Sequence, residues 1–211
     1  MRDDDEDDSR PFSLGVTGHR PHKLNPARLD VIAADIGRVI DALTAKFEPR
    51  PLFCISALAE GADTMAAEAA LAHGWKLKSP IPFPAGHYAR DFAKGPPLET
   101  FKRLMNIASV VAMTKSGLDL ADETDGYVAA SVAMLEMSDA VIAVWDGAPT
   151  ELRGGAYDTM MLALAVSQPV LWIDARGAAP PLYLERRHIP TLARGERPRA
   201  GGEDAFLAAL G

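Results

Sequence analysis

Short apolar runs alternate along most of the chain with stretches whose apolar residues recur at helical spacing. Ser13–Gly18 (SLGVTG) is an apolar run closed by glycine and predicts a first strand. Asn25 and Pro26 then read as an N-cap and a first helical residue, and Leu29, Ile32, Ala33, Ile36, Val39, Ile40 and Leu43 follow at three- and four-residue steps. Pro51–Leu58 predicts a second strand, Gly61–Gly74 an alanine-rich helix, and Lys76–Phe83 a third strand shortened by Pro80 and Pro82. An irregular middle, PAGHYARDFAKGPP, leads to a helix from Leu98 and a fourth strand at Ala108–Thr114. A helix over Asp122–Met137, a strand over Ala140–Gly147, a helix over Gly155–Val166 and a strand over Pro169–Ala175 complete the series.

Strands that are apolar throughout, without clean alternation, belong to a sheet covered on both faces. The expected fold is therefore α/β: a single Rossmann-like, doubly wound, mostly parallel sheet of about six or seven strands with helices on both faces. Residues 1–11 are expected to be an acidic disordered tail, 12–176 the domain, and 177–211 a C-terminal extension with a short helix in EDAFLAAL.

Composition narrows the class. Hydrophobic residues make up 48% and charged residues 24%, the balance of a globular chain. Residues 1–10 hold six acids and two arginines, so that −4 of the net −7 lies in the tail and −3 in the body. A body so close to balance shows no basic stripe, and nucleic-acid binding is not expected from charge. No apolar run is long enough to span a membrane, the N-terminus is the reverse of a basic leader, and the single Cys54 fits a reducing compartment, so a cytoplasmic location is expected. Cys54 itself, inside an apolar strand, is expected to be buried and inert. His73, His87 and His188 lack ligand spacing, so neither a metal nor a cofactor is expected.

In a doubly wound sheet the chemistry gathers at the carboxyl ends of the strands. Thr17, Gly18, His19 and Arg20 follow the first strand there. Ser56, Leu58, Glu60, Gly61, Ala62 and Asp63 follow the second, and Asp146, Gly147, Arg153, Gly154, Gly155 and Ala156 follow the fifth. Glycines and amides at helix starts favour a close-approaching anion, which Arg20 or Arg153 would grip. Each of these also has a plain reading. The glycines can simply make turns, His19 can be a hydrogen-bonded turn residue, Asp63 can complement a helix dipole, and Asp146 can close a turn instead of holding a ribose hydroxyl. Trp75, Trp145 and Trp172 read as core. The P-loop, the dinucleotide fingerprint G-x-G-x-x-G and the nucleophile elbow G-x-S-x-G are all missing.

Five pieces in order carry a resemblance: GVTGHR at Gly15–Arg20, ALAEGAD…AEAAL at Ala57–Leu71, PFP…Y…DF at Pro82–Phe92, SD…IAVWDG at Ser138–Gly147, and GG at Gly154–Gly155. Together they resemble a bacterial branch of the SLOG superfamily, the Rossmann-like group that includes the Lonely Guy enzymes and the DNA-processing protein A domain. The resemblance covers about Ser13 to Ala175. It implies a pocket for a nucleotide or nucleotide-derived ligand, built by the GVTGHR, AEGAD and GG turns. Lonely Guy enzymes cleave nucleoside monophosphates at the N-glycosidic bond and carry P-G-G-x-G-T-x-x-E. Here the stretch reads RGGAYDTMMLA, with Arg153 for the proline, Ala156 for the usual threonine of the branch, and no glutamate on the helix. Binding without turnover is the reading this favours. The alternative is a hydrolase drawing its carboxylate from Glu60, Asp63 or Asp158, and a structural or interaction role is the third. The resemblance leaves room for a homodimer and for a separate effector protein.

Overall fold

The computed structural model describes residues 10–113 and 124–211. The expected acidic tail, Thr114 and the first two residues of the helix expected from Asp122 lie outside the described residues, apart from Arg10 and Pro11 of the tail.

The element order is β1 (Phe12–Gly18), α1 (Leu29–Phe47), β2 (Leu52–Ile55), α2 (Ala62–Ala72), β3 (Lys76–Ile81), α3 (Ala85–Tyr88), α4 (Pro96–Ile107), β4 (Ser109–Ala112), α5 (Thr124–Glu136), β5 (Ala140–Trp145), α6 (Ala156–Ala165), β6 (Val170–Asp174), β7 (Leu182–Leu184), α7 (Ile189–Ala193) and α8 (Glu203–Ala209). Among the described residues, seven strands form one sheet in the order β4-β3-β2-β1-β5-β6-β7. All neighbours are parallel except β6 and β7, which pair antiparallel with Val170 opposite Leu184. The chain winds outward from β1 to β4 and then resumes at β5 on the other side of β1. The strand order thus reverses between β1 and β5, where such sheets open a crevice.

Helical spacing in α1 has the expected result for Ile32, Ile36, Val39, Ile40 and Leu43, which are fully buried, whereas Leu29 and Ala33 are exposed. The first turn differs from expectation. Pro26–Arg28 is a 3-10 turn, in which the Asn25 side chain accepts from the Ala27 N–H, and the α-helix proper starts at Leu29. In α2, Ala62, Ala66, Ala67 and Ala70 are buried against the sheet, small side chains that let the helix lie close on β1. Every residue of β5 is buried, as a central strand covered on both faces requires. Trp75, Trp145 and Trp172 are core residues, and burial pushes the Cys54 thiol up to about 12.

The C-terminal segment contributes to the same sheet and core. It supplies β7, places a fully buried Phe206 from α8 in the main hydrophobic cluster, and sets Arg197 over the Trp172 ring at 4.6 Å. The sequence pattern did not reveal β7 or α7, which are three and five residues long, too short to show a period.

Candidate functional site

A cavity of about 480 Å³ opens at the carboxyl ends of β1 and β5, at the strand-order reversal. Its walls come from the end of β1 (Thr17 to Arg20), the loop after β2 (Ala57 and Ala59), α2 (Asp63), α5 (Tyr127 and Ser131 among others) and the segment entering α6. Three cations, Arg20, Lys23 and Arg153, face one carboxylate, Asp63, among the described wall residues.

The expected site residues divide into two groups. Thr17, Gly18, His19, Arg20, Asp63, Arg153, Gly154, Gly155 and Ala156 line the cavity. Ser56, Leu58, Glu60, Gly61, Ala62, Asp146, Gly147 and Asp158 do not, and several of them hold the wall residues in place. The Gly61 turn is the main difference from expectation. Gly61 has φ of 109°, and a β-carbon there would stand 2.5 Å from the His19 carbonyl oxygen. Its glycine is thus required by the backbone of the neighbouring turn, not by an approaching ligand. The adjacent Ala62 N–H donates to that same carbonyl at 3.2 Å, pinning the GVTGHR turn to α2. Gly18 has a similar origin, because a β-carbon would lie 2.4 Å from the Ala62 methyl. Gly155 is different: a β-carbon there would meet nothing closer than 3.4 Å, and its backbone is ordinary extended chain at the N-cap of α6.

The start of α6 is prepared for an anion. The first-turn amides of a helix have no acceptor within the helix, and the helix dipole places partial positive charge there. Asp158 does not extend into the cavity, since its Oδ2 accepts the Gly154 N–H at 2.8 Å. Gly154, at φ of 71°, lies directly on the backbone of Tyr127. Arg153 is largely exposed and stands 3.9 Å from Asp125, a surface pair that leaves its charge available.

His19 lacks a carboxylate partner nearby in sequence, and the fold supplies one. Asp146, beyond β5, brings Oδ1 to 3.1 Å from His19 Nε2, close but not aligned for a hydrogen bond. Burial holds the imidazole below its usual pKa despite this carboxylate. Asp146 also accepts the Ala148 N–H at 3.0 Å, so its carboxylate is held by the turn beside His19. Gly147 faces the Trp172 ring.

Asp63 is the most perturbed acid among the described residues. It is buried, receives the Ser56 hydroxyl on Oδ2 at 2.8 Å and is bonded by the Ala59 N–H. Ser56 in turn accepts the Leu58 N–H at 3.0 Å, which steadies the left-handed Leu58. Burial raises the Asp63 pKa to about 7, against the opposing pull of Ser56 and Arg20. A carboxyl whose folded pKa lies above its unfolded value binds a proton on folding. Its contribution to stability is therefore complete below about pH 4 and is lost as pH rises to about 7. The expected loss across that window is about 4 kcal/mol, of which about 3 kcal/mol falls between pH 5 and pH 8 and is read by urea unfolding at those two values. Asp63→Asn should gain stability relative to the wild type as pH rises, while an equal difference at both pH values would remove Asp63 as the source.

Residues beyond the expected set complete the site. Tyr88, buried to 1% exposure, and Tyr127 form one wall, and Asp91 stands behind them. Asp91 and Tyr88 belong to the PFP…Y…DF piece, so a signal was present in the sequence, but the turns at Ala85–Tyr88 and Ala89–Asp91 have no period to orient their side chains. Among the described residues no group of three or more His, Cys, Asp or Glu is placed to hold a metal ion, and no helix is long and apolar enough to cross a membrane.

No protein-family model matches the chain, and no curated protein does. Solved structures do. DNA processing protein A from Streptococcus pneumoniae is 17% identical with a TM-score of 0.54; the match covers 95% of this chain and 62% of that one. The same protein from Helicobacter pylori, solved for its single-stranded DNA binding mode, is 13% identical with a TM-score of 0.51, covering 95% of this chain and 80% of that one. The chain thus spans less than two thirds of the length of the Streptococcus pneumoniae protein. In fold the chain is Rossmann-like and similar to these DNA processing protein A structures.

Proposed function

We propose that this cavity binds a nucleotide or nucleotide-derived ligand, with its phosphate at the start of α6. The observation that carries the reading is the opening of the α6 N-terminus, at Gly155 and Ala156, into a cavity of about 480 Å³ at the strand-order reversal. That volume suits a mononucleotide or somewhat larger ligand. Three wall cations against one carboxylate of raised pKa favour an anion. Calorimetric titration with nucleoside monophosphates, ADP-ribose and a short single-stranded oligonucleotide tests the reading. Micromolar binding of one mononucleotide-sized compound is the expected result. Silence across the small molecules would end it, and binding of the oligonucleotide alone would assign the surface to DNA, which the Helicobacter pylori relative binds.

One observation favours a second reading, hydrolysis of an N-glycosidic bond. A wall carboxyl with a pKa near 7 is suited to protonate a departing base. Of the three acids considered, only Asp63 reaches the cavity; Glu60 and Asp158 lie outside its walls. Release of free base from a nucleoside monophosphate, abolished in Asp63→Asn, would establish this activity. Release that survives the substitution would exclude Asp63 as the acid.

A further inference from the structure

Arg20 reaches the cavity from the turn after β1 and meets a carboxylate there. Its Nη2 donates to Asp91 Oδ2 at 3.1 Å and its Nη1 to the Asp91 main-chain carbonyl at 3.2 Å. The same Oδ2 accepts the Tyr127 hydroxyl. Arg20 and Tyr127 are walls of the cavity and Asp91 is not. Two cavity-facing donors, a guanidinium and a phenol, therefore converge on one oxygen delivered from outside the cavity. A pair of donors of this kind suits a phosphate or carboxylate oxygen.

We propose that Asp91 is an internal stand-in for the ligand's oxyanion, holding Arg20 and Tyr127 in the unliganded protein and competing with the ligand for them. The inference rests on the nucleotide reading of this cavity and adds its regulation. The ion pair is within reach of displacement, for the Arg20 and Asp91 side chains are 32% and 22% exposed, so that a ligand can reach both partners. The exchange needs no lid. Tyr88 and Phe92 on either side of Asp91 are buried, and the Phe92 ring stacks on Phe101 at 4.2 Å, so the backbone of this turn is anchored. Rotation of the Asp91 side chain alone releases Oδ2, while the bond from Arg20 to the Asp91 carbonyl can persist and keep the guanidinium aimed. A ligand with a phosphate can make this exchange, whereas the same ligand without one has nothing to offer in place of the carboxylate.

Asp91→Asn keeps the shape and an acceptor for Tyr127 but removes the competing charge, and Asp91→Ser removes the reach as well. Calorimetric titration of the full chain with AMP, ADP-ribose and adenosine compares wild type and both variants, with melting curves to confirm that each is folded. The expected result is binding of the phosphate compounds about tenfold tighter in both variants, with adenosine unchanged. Equal or weaker phosphate binding in the variants would overturn the proposal and make Asp91 a residue that positions Arg20. If neither AMP nor ADP-ribose binds any of the three proteins, the nucleotide reading itself falls and the stand-in with it, an outcome distinct from the first.

Discussion

Gly155→Asp is expected to weaken binding of a phosphate-bearing ligand at least about 100-fold, equivalent to about 2.7 kcal/mol, while leaving the protein as stable as before. The two effects separate because of what Gly155 does. Its φ of −86° and ψ of 174° are open to any residue, and an added β-carbon meets nothing closer than 3.4 Å. Aspartate is a good N-cap, so its carboxylate would accept from the first-turn amides of α6 and stabilise the helix. That carboxylate would then occupy the position proposed for the phosphate and repel it. Calorimetry and a melting curve on one sample read both consequences. A variant that melts like the wild type and binds AMP or ADP-ribose equally well would show that the phosphate does not sit at α6.

Gly61→Ala is expected to lower stability by about 3 kcal/mol or more, and with it the melting temperature by roughly 6–12 °C for a chain of this length. Here the backbone conformation and the crowding act together. At φ of 109° and ψ of −125° a non-glycine residue is strained, and its β-carbon would stand 2.5 Å from the His19 carbonyl oxygen and 3.1 Å from Arg20 Cα. Neither atom belongs to a flexible side chain, so relief requires the GVTGHR turn to move. The Ala62 N–H bond to His19 would be lost with that movement, and Arg20 would shift from Asp91. Thermal unfolding measures the loss of stability. A change of less than about 1 kcal/mol would mean that the turn yields more easily than the structure indicates.

The GVTGHR and AEGAD stretches show how far sequence reasoning reached. Their glycines marked the right end of the sheet, because strand ends followed by glycine are legible as a local pattern. The reason given for Gly18 and Gly61, close approach of a ligand, was not the one found. Both are glycine because the turn after β1 and the start of α2 press together, two segments about forty residues apart in the chain. The same limit hid the partners of the charged groups. His19 meets Asp146 and Arg20 meets Asp91, pairs more than seventy residues apart that no spacing rule connects.

By itself, the sequence determined the alternation of strand and helix, the mostly parallel sheet covered on both faces, and the edge at which chemistry should be sought. All three depend on local periodicity and on glycine at element ends, which physical chemistry imposes residue by residue. The tertiary structure alone decided which of those residues face the cavity, that Asp63 carries a raised pKa, and that Asp91 holds Arg20 and Tyr127. Burial and pairing between distant segments control those properties, and they exist only once the strand order has brought β1, α2, α5 and α6 around one cavity.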